Sequence, residues 1–82
     1  IDVHWSQTAP GTGLAQMVWH RGLGAGAQLM YSSCALNKNV NPPLLCDAWY
    51  QWTGPAVLAS GHDEKYPHIV SDQGYTLIVY TA

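Results

Sequence analysis

Four histidines and five carboxylates are the side chains of this 82-residue sequence with the capacity for acid–base or metal chemistry. His62, Asp63, Glu64 and His68 fall close together, and histidine with carboxylate is a ligand set for zinc or manganese. Pro67 excludes a metal-binding helix across this segment, and both cysteines are expected to be oxidised. We therefore predict a solvated surface loop here, with no metal and no cofactor.

A histidine-dependent reaction is the enzyme alternative. Asp2 and His4 alternate onto one strand face, where they could meet His20 or Asp72 as in a two-histidine nuclease site. Such a site usually adds a cation for phosphate, and Arg21 is the only one beside a candidate. The chain also has no G-x-S-x-G elbow. The sequence favours a binding protein over the enzyme alternative, which is a small secreted hydrolase or nuclease. The candidate catalytic residues of such an enzyme are His4, His20, His62 and His68.

The two cysteines, Cys34 and Cys46, predict a disulfide. They stand in two segments with strand character, residues 28–36 and 44–52, on either side of a polar stretch. A hairpin folded about Val40 places the cysteines opposite each other, at a distance that a disulfide can span. Because structural disulfides form in oxidising compartments, we expect a secreted, extracellular protein.

The aromatic residues are the main indication of function. In the hairpin register above, one face contains the disulfide and an expected core. Its members are Met30, Leu36, Leu44, Tyr50 and Trp52. The opposite face would carry Tyr31 and Trp49 together with Asp47 and Gln51, and Trp19 is a further candidate. One interpretation is that a second layer covers this face, which would make it part of the core. The functional interpretations are a protein interface, where tryptophan and tyrosine dominate the energetics, and a glycan platform, since an indole beside polar groups suits the face of a sugar ring.

The low charge excludes several partners. Only three residues are basic, against five acidic ones, and duplex nucleic acid requires more cations than this. No apolar run reaches the length of a membrane-spanning helix. We expect no nucleic-acid binding and no membrane span. Low net charge and exposed aromatic groups also favour self-association, which makes a homodimer a candidate state.

The hydrophobic pattern predicts a single domain over residues 1–82, made mostly of short strands. The fold expected is all-β, a small antiparallel sandwich or partly closed barrel with one disulfide hairpin. Residues 14–21 also fit a helix, so the alternative is an α+β fold with one helix near 13–21 on an antiparallel sheet. Residues 75–80 are apolar on both faces, which predicts a central strand that follows a turn at 72–74.

These observations predict a small secreted binding protein of the toxin, elicitor, inhibitor or effector type. Its target would be an extracellular protein or glycan, recognised through exposed aromatic residues, and a lectin with tryptophan stacked on sugar is one form of it. The predicted binding residues are Trp19, Tyr31, Asp47, Trp49 and Gln51. The sequence contains nothing that identifies the target or the source.

Overall fold

The computed structural model is an all-β protein of two antiparallel sheets, which confirms the expected fold class. It describes residues 1–22, 24–61, 64–72 and 75–81, apart from the side chain of Asp72. The first sheet has four strands in the order β1-β2-β3-β4, and the second is the β5-β6 hairpin. The strands are β1 (Asp2–Ala9), β2 (Thr12–Arg21), β3 (Gln28–Asn37), β4 (Ala56–Ser60), β5 (Lys65–Asp72) and β6 (Tyr75–Thr81). The sheets do not close into a barrel.

Residues 12–21 form strand β2, so the helical alternative near 13–21 is wrong. β2 pairs with β1 from Thr12 to Val18 and with β3 over its whole length, from Thr12 to Arg21. The sequence has local helix signals, a capping Thr12 and a terminal Gly22. They are outweighed because strands β1 and β3 form backbone hydrogen bonds with β2 on both of its edges.

The β5-β6 hairpin packs on one face of the four-stranded sheet through polar groups. Gln16 is buried at the centre of this contact, where its amide nitrogen donates to the Tyr31 hydroxyl at 2.8 Å and to Thr76 Oγ1 at 3.2 Å. Ser71 Oγ donates to the Gln16 side-chain oxygen. Buried side-chain amides are stable only when bonded in this way, so this network fixes the position of the hairpin.

The disulfide between Cys34 and Cys46 is present, with the two Cα atoms 6.0 Å apart. The prediction that residues 44–52 form a strand paired with β3 is wrong. That segment contributes one isolated bridge, Leu44 to Asn37, and then a 3₁₀ turn at Trp49–Gln51. β2 and β4 occupy the two edges of β3, and Cys46 takes a positive φ of 58°, which interrupts an extended strand.

Three further expectations need correction. Tyr50 and Leu44 are exposed instead of lying in the core, because the loop that carries them does not pair as a strand. Glu64 is buried, although its segment was expected to be solvated. β6 is an edge strand, not a central one, since only β5 pairs with it among the described strands. His62 and Asp63 of the predicted surface loop, and Gln73 and Gly74 of the predicted turn, lie outside the described residues.

Of the helices in the described part of the chain, none has the length and apolar character needed to cross a membrane.

Candidate functional site

Three of the four tryptophans line one groove on the face of the four-stranded sheet that carries the disulfide. We call it the Trp groove, and its volume is about 410 Å³. Its walls come from strands β2 and β3 on one side and from the loop that follows the disulfide on the other. The lining residues are Met17, Trp19, Ser32, Trp49, Trp52, Thr53 and Pro55. The β5-β6 hairpin covers the other face of the sheet, so the groove stays open to solvent.

Strand alternation explains why Met17 and Trp19 reach the groove. Met17 pairs with Ser32, and Trp19 pairs with Met30, so these side chains project from the same side of the sheet. Cys34 follows two residues after Ser32 and therefore projects from that side as well. The disulfide thus brings the loop over the strand face that already displays an indole and a thioether.

Backbone and side-chain hydrogen bonds hold the far end of the loop on β3. The Thr53 N–H donates to Ser33 O at 2.8 Å, and the Ser33 N–H donates to Thr53 Oγ1 at 3.0 Å. Ser32 Oγ donates to Thr53 O at 2.7 Å. Together with the disulfide, these bonds fix the loop at two points, so the groove exists before any ligand arrives. A preformed site avoids the entropic cost of ordering on binding.

The tryptophans in the groove differ in how firmly they are held. Trp52 is half-buried, and its indole N–H donates to Cys46 O at 3.2 Å. Trp49 opens the 3₁₀ turn with 87% of its surface exposed, and it meets Tyr50 edge to face at a centroid distance of 6.0 Å. A large exposed indole beside an anchored one is an arrangement typical of a binding surface.

The groove contains two indole N–H groups that can donate hydrogen bonds to a ligand. The hydroxyls of Ser32 and Thr53 are already bonded within the protein. The indole N–H groups of Trp19 and Trp49 donate to no other described residue. Trp49 is exposed, and the Trp19 nitrogen is not among the buried polar atoms that lack a partner. Both N–H groups are therefore open to solvent or to a ligand. Among the described residues, no charged side chain lines the groove.

The structure separates the residues that the sequence grouped into one patch. Trp49 lies on the disulfide face, whereas Tyr31 lies on the opposite face and accepts a hydrogen bond from Gln16 beneath the hairpin. Their placement on a common face is wrong because it depended on the hairpin register that did not form. Asp47 is exposed, and the side-chain oxygen of Gln51 is buried without a partner among the described residues. Their role in binding stays a prediction.

The described histidines lie apart from the groove. The His4 Nε2–H donates to Ser71 O at 3.1 Å, and His20 meets the ring of Tyr66 edge to face at 6.2 Å. His4 thus contacts β5 instead of joining His20 in a nuclease arrangement. The described residues contain no group of three histidine, cysteine or acidic side chains that could hold a metal ion. The fourth catalytic candidate, His62, lies outside the described residues.

The carboxylate of Asp2 lies beside two groups of strand β5. Its carboxylate accepts the Ile69 N–H at 2.9 Å, and His68 Nδ1 lies 3.9 Å away. The backbone hydrogen bond, with a smaller contribution from the charge of His68, lowers the pKa of Asp2 below its ordinary value. This hydrogen bond joins strand β1 to the β5-β6 hairpin, so we assign Asp2 a structural role.

Sequence reasoning missed the position of Trp52 and Met17 in the site. Period-two alternation from Met17 to Trp19 was visible in the sequence and places both on one face. Trp52 carried no such signal, because its position depends on the disulfide loop folding back over β2 and β3.

The chain matches no family model, and comparisons with curated proteins and with solved structures likewise find no match.

Proposed function

We propose that this protein is a secreted binding protein whose Trp groove receives an extended, proline-rich segment of an extracellular partner protein. The observation that supports this most directly is the combination of the exposed Trp49 indole with two unpaired indole N–H donors, in a groove whose described lining carries no charge. The disulfide agrees with an oxidising compartment and therefore with secretion.

A proline-rich segment is the chemical complement of this groove. Polyproline II chains have no internal hydrogen bonds, and proline lacks the backbone N–H, so such a segment presents carbonyl acceptors and apolar rings. The indole N–H groups of Trp19 and Trp49 are the donors that those carbonyls need. Aromatic-lined grooves are a general means of recognising such segments, and the preformed polyproline II helix loses little entropy on binding.

A glycan suits the groove less well. Each sugar hydroxyl both donates and accepts, so sugar sites combine stacking with polar groups of both kinds. Here the hydroxyls of Ser32 and Thr53 are bonded within the protein, and the indole N–H of Trp52 is taken by Cys46 O. The polar groups left for a ligand are the two indole N–H donors and the unused capacity of the two hydroxyls, and the described lining includes no carboxylate or side-chain amide, which sugar sites commonly use. The polar groups therefore favour a protein segment over a sugar.

The exposed indole of Trp49 supplies most of the energy of such a complex. A tryptophan side chain buries about 200 Å² when it is covered, which corresponds to roughly 5 kcal/mol of gross hydrophobic free energy. Ordering and desolvation reduce the net contribution, and truncation of an interface tryptophan typically costs about 2 kcal/mol or more. We therefore expect Trp49→Ala to weaken binding about 30-fold.

The test is a titration of the ¹⁵N-labelled protein with a ten-residue polyproline peptide, followed by NMR of the indole N–H signals. We expect the signals of Trp19 and Trp49 to shift while that of Trp5, outside the groove, does not. Tyr75→Ala is the matched control for Trp49→Ala, because Tyr75 is 82% exposed and lies on β6, and it should bind the peptide as the parent does.

A parallel titration with chitohexaose and cellohexaose separates the two target classes. If a sugar shifts the groove signals and the peptide does not, the protein is a lectin and the proposal is wrong. If the peptide shifts the signal of Trp5 as much as those of the groove, the binding is non-specific and the proposal fails as well.

A further inference from the structure

The last strand, β6, presents apolar side chains and a free backbone edge to solvent. Tyr75, Leu77 and Val79 are all more than half exposed, and Val70 beside them on β5 is exposed as well. β6 pairs with β5 along one edge, and no other described strand pairs with it. A strand that is apolar on both faces is typical of the interior of a sheet. In β6 this pattern occurs at an edge.

The hydrogen bonds of β5 identify which backbone groups of β6 are free. The Ile69 N–H and the Ser71 C=O bond to side chains of β1 and therefore point away from β6. Ile69 pairs with Ile78 and Ser71 with Thr76, so these are the non-hydrogen-bonded pairs of the ladder. By strand geometry, the N–H and C=O groups of Thr76 and Ile78 then point outward from β6.

The other described edges carry features that block further pairing. β1 has a register shift between Gln7 and Ala9, and β4 is only five residues long and follows Pro55. The outer edge of β5 is occupied by Asp2 and His4, whose side chains take its backbone hydrogen bonds. Bulges, short strands, proline and side-chain caps are the usual protections of sheet edges. β6 has none of these among its described residues.

We propose that β6 pairs in antiparallel fashion with β6 of a second copy of this chain. The strand Tyr75–Thr81 contains no charged residue, so two copies can meet without repulsion between like charges. The described strands of each chain offer one unprotected edge, so the pairing closes as a two-fold dimer and does not continue into a filament. The two hairpins then form a continuous four-stranded sheet.

The outward-pointing groups determine the register. A two-fold axis at Ile78 overlaps all seven residues of β6 and places Ile78 opposite its own copy. Thr76 then lies opposite Tyr80 of the second copy, which gives about six backbone hydrogen bonds. On the outer face, Leu77 lies opposite Val79 of the second copy, and both apolar side chains lose their exposure to water.

Analytical ultracentrifugation of the full chain tests the dimer. We expect a reversible dimer at protein concentrations of about 100 µM, since a single strand pair gives a small interface. Val79→Lys should raise the dissociation constant at least tenfold, because it places an ammonium group against an apolar side chain. Val3→Lys is the matched control, since Val3 is 58% exposed on edge strand β1 and Val79 is 57% exposed on β6. Val3→Lys should dimerise as the parent does.

A charge-swapped pair tests the register and guards against a variant that fails to fold. Leu77→Lys and Val79→Glu should each weaken the homodimer, whereas an equimolar mixture should associate again, because the new ammonium and carboxylate groups lie opposite each other. A parent that remains monomeric up to about 1 mM overturns the dimer. Equal weakening by Val3→Lys and Val79→Lys overturns the β6 interface, and a mixture that does not associate overturns the register.

Discussion

Removal of the Cys34–Cys46 disulfide is the perturbation whose size follows most directly from the structure. The two cysteines are 12 residues apart, and their bond closes a loop of that length in the unfolded chain. The chain-entropy relation assigns about 3 kcal/mol to a loop of this size. A domain of 82 residues is stable by roughly 4–12 kcal/mol in total. The bond therefore accounts for a quarter or more of the stability.

Two forms of the protein separate the contributions to this loss. In the reduced parent protein both thiols keep their volume, so its destabilisation of about 3 kcal/mol reports the loop entropy. In the double variant Cys34→Ala/Cys46→Ala, the buried side chain of Cys34 is also shortened, which leaves a small cavity. We expect this variant to lose about 1 kcal/mol more than the reduced parent.

Urea unfolding followed by far-ultraviolet circular dichroism measures both effects through linear extrapolation. The m-value should rise on reduction, because an unfolded chain without the cross-link exposes more surface. A reduced parent within 1 kcal/mol of the oxidised protein would refute the entropy argument. A double variant more stable than the reduced parent would refute the placement of Cys34 in a packed core.

Three further predictions concern stability and pH. Gly13→Ala should destabilise the protein by about 2 kcal/mol in urea unfolding, because a Cβ built there lies 2.1 Å from the ring of Trp5. The control Gly54→Ala, which has open space around it, should change stability by less than about 1 kcal/mol. Because the pKa of Asp2 is lowered in the folded state, its charge stabilises the protein above pH 4, and this stabilisation is lost as pH falls through the folded-state pKa. The urea midpoint of Asp2→Asn should therefore fall less between pH 5 and pH 2 than that of the parent. Gln16→Leu should cost about 2 kcal/mol in thermal unfolding, because it removes the hydrogen bonds of a buried amide to three hydroxyl groups, and an unchanged midpoint would contradict the network described above.

The core of the first sheet could be predicted from local pattern. Alternation from Met17 to Trp19 and the apolar segment around Leu29 and Met30 predicted strands that the structure confirms as β2 and β3. The disulfide was also predictable, because the chain has only two cysteines. These features depend on residue type and on the two-residue period of a strand, both of which can be read directly from the sequence.

The candidate site was only partly predictable. The sequence identified Trp49 and Trp19 as binding candidates, and both line the Trp groove. Tyr31 was assigned to the same surface and lies on the opposite face. The error arose because a disulfide fixes the distance between two residues and not the conformation of the chain on either side of them. An extended return strand and an irregular loop satisfy the same cross-link.

The sequence by itself determined the strand character and the covalent link. Tertiary structure decided which strands became neighbours, because pairing is a choice among several apolar segments of similar propensity. β4 took the edge of β3 that residues 44–52 were expected to fill, and this left the tryptophans of that loop to line a groove. The same competition left β6 at an edge although its side chains suit an interior position. Its composition is a local property, whereas its exposure follows from long-range pairing.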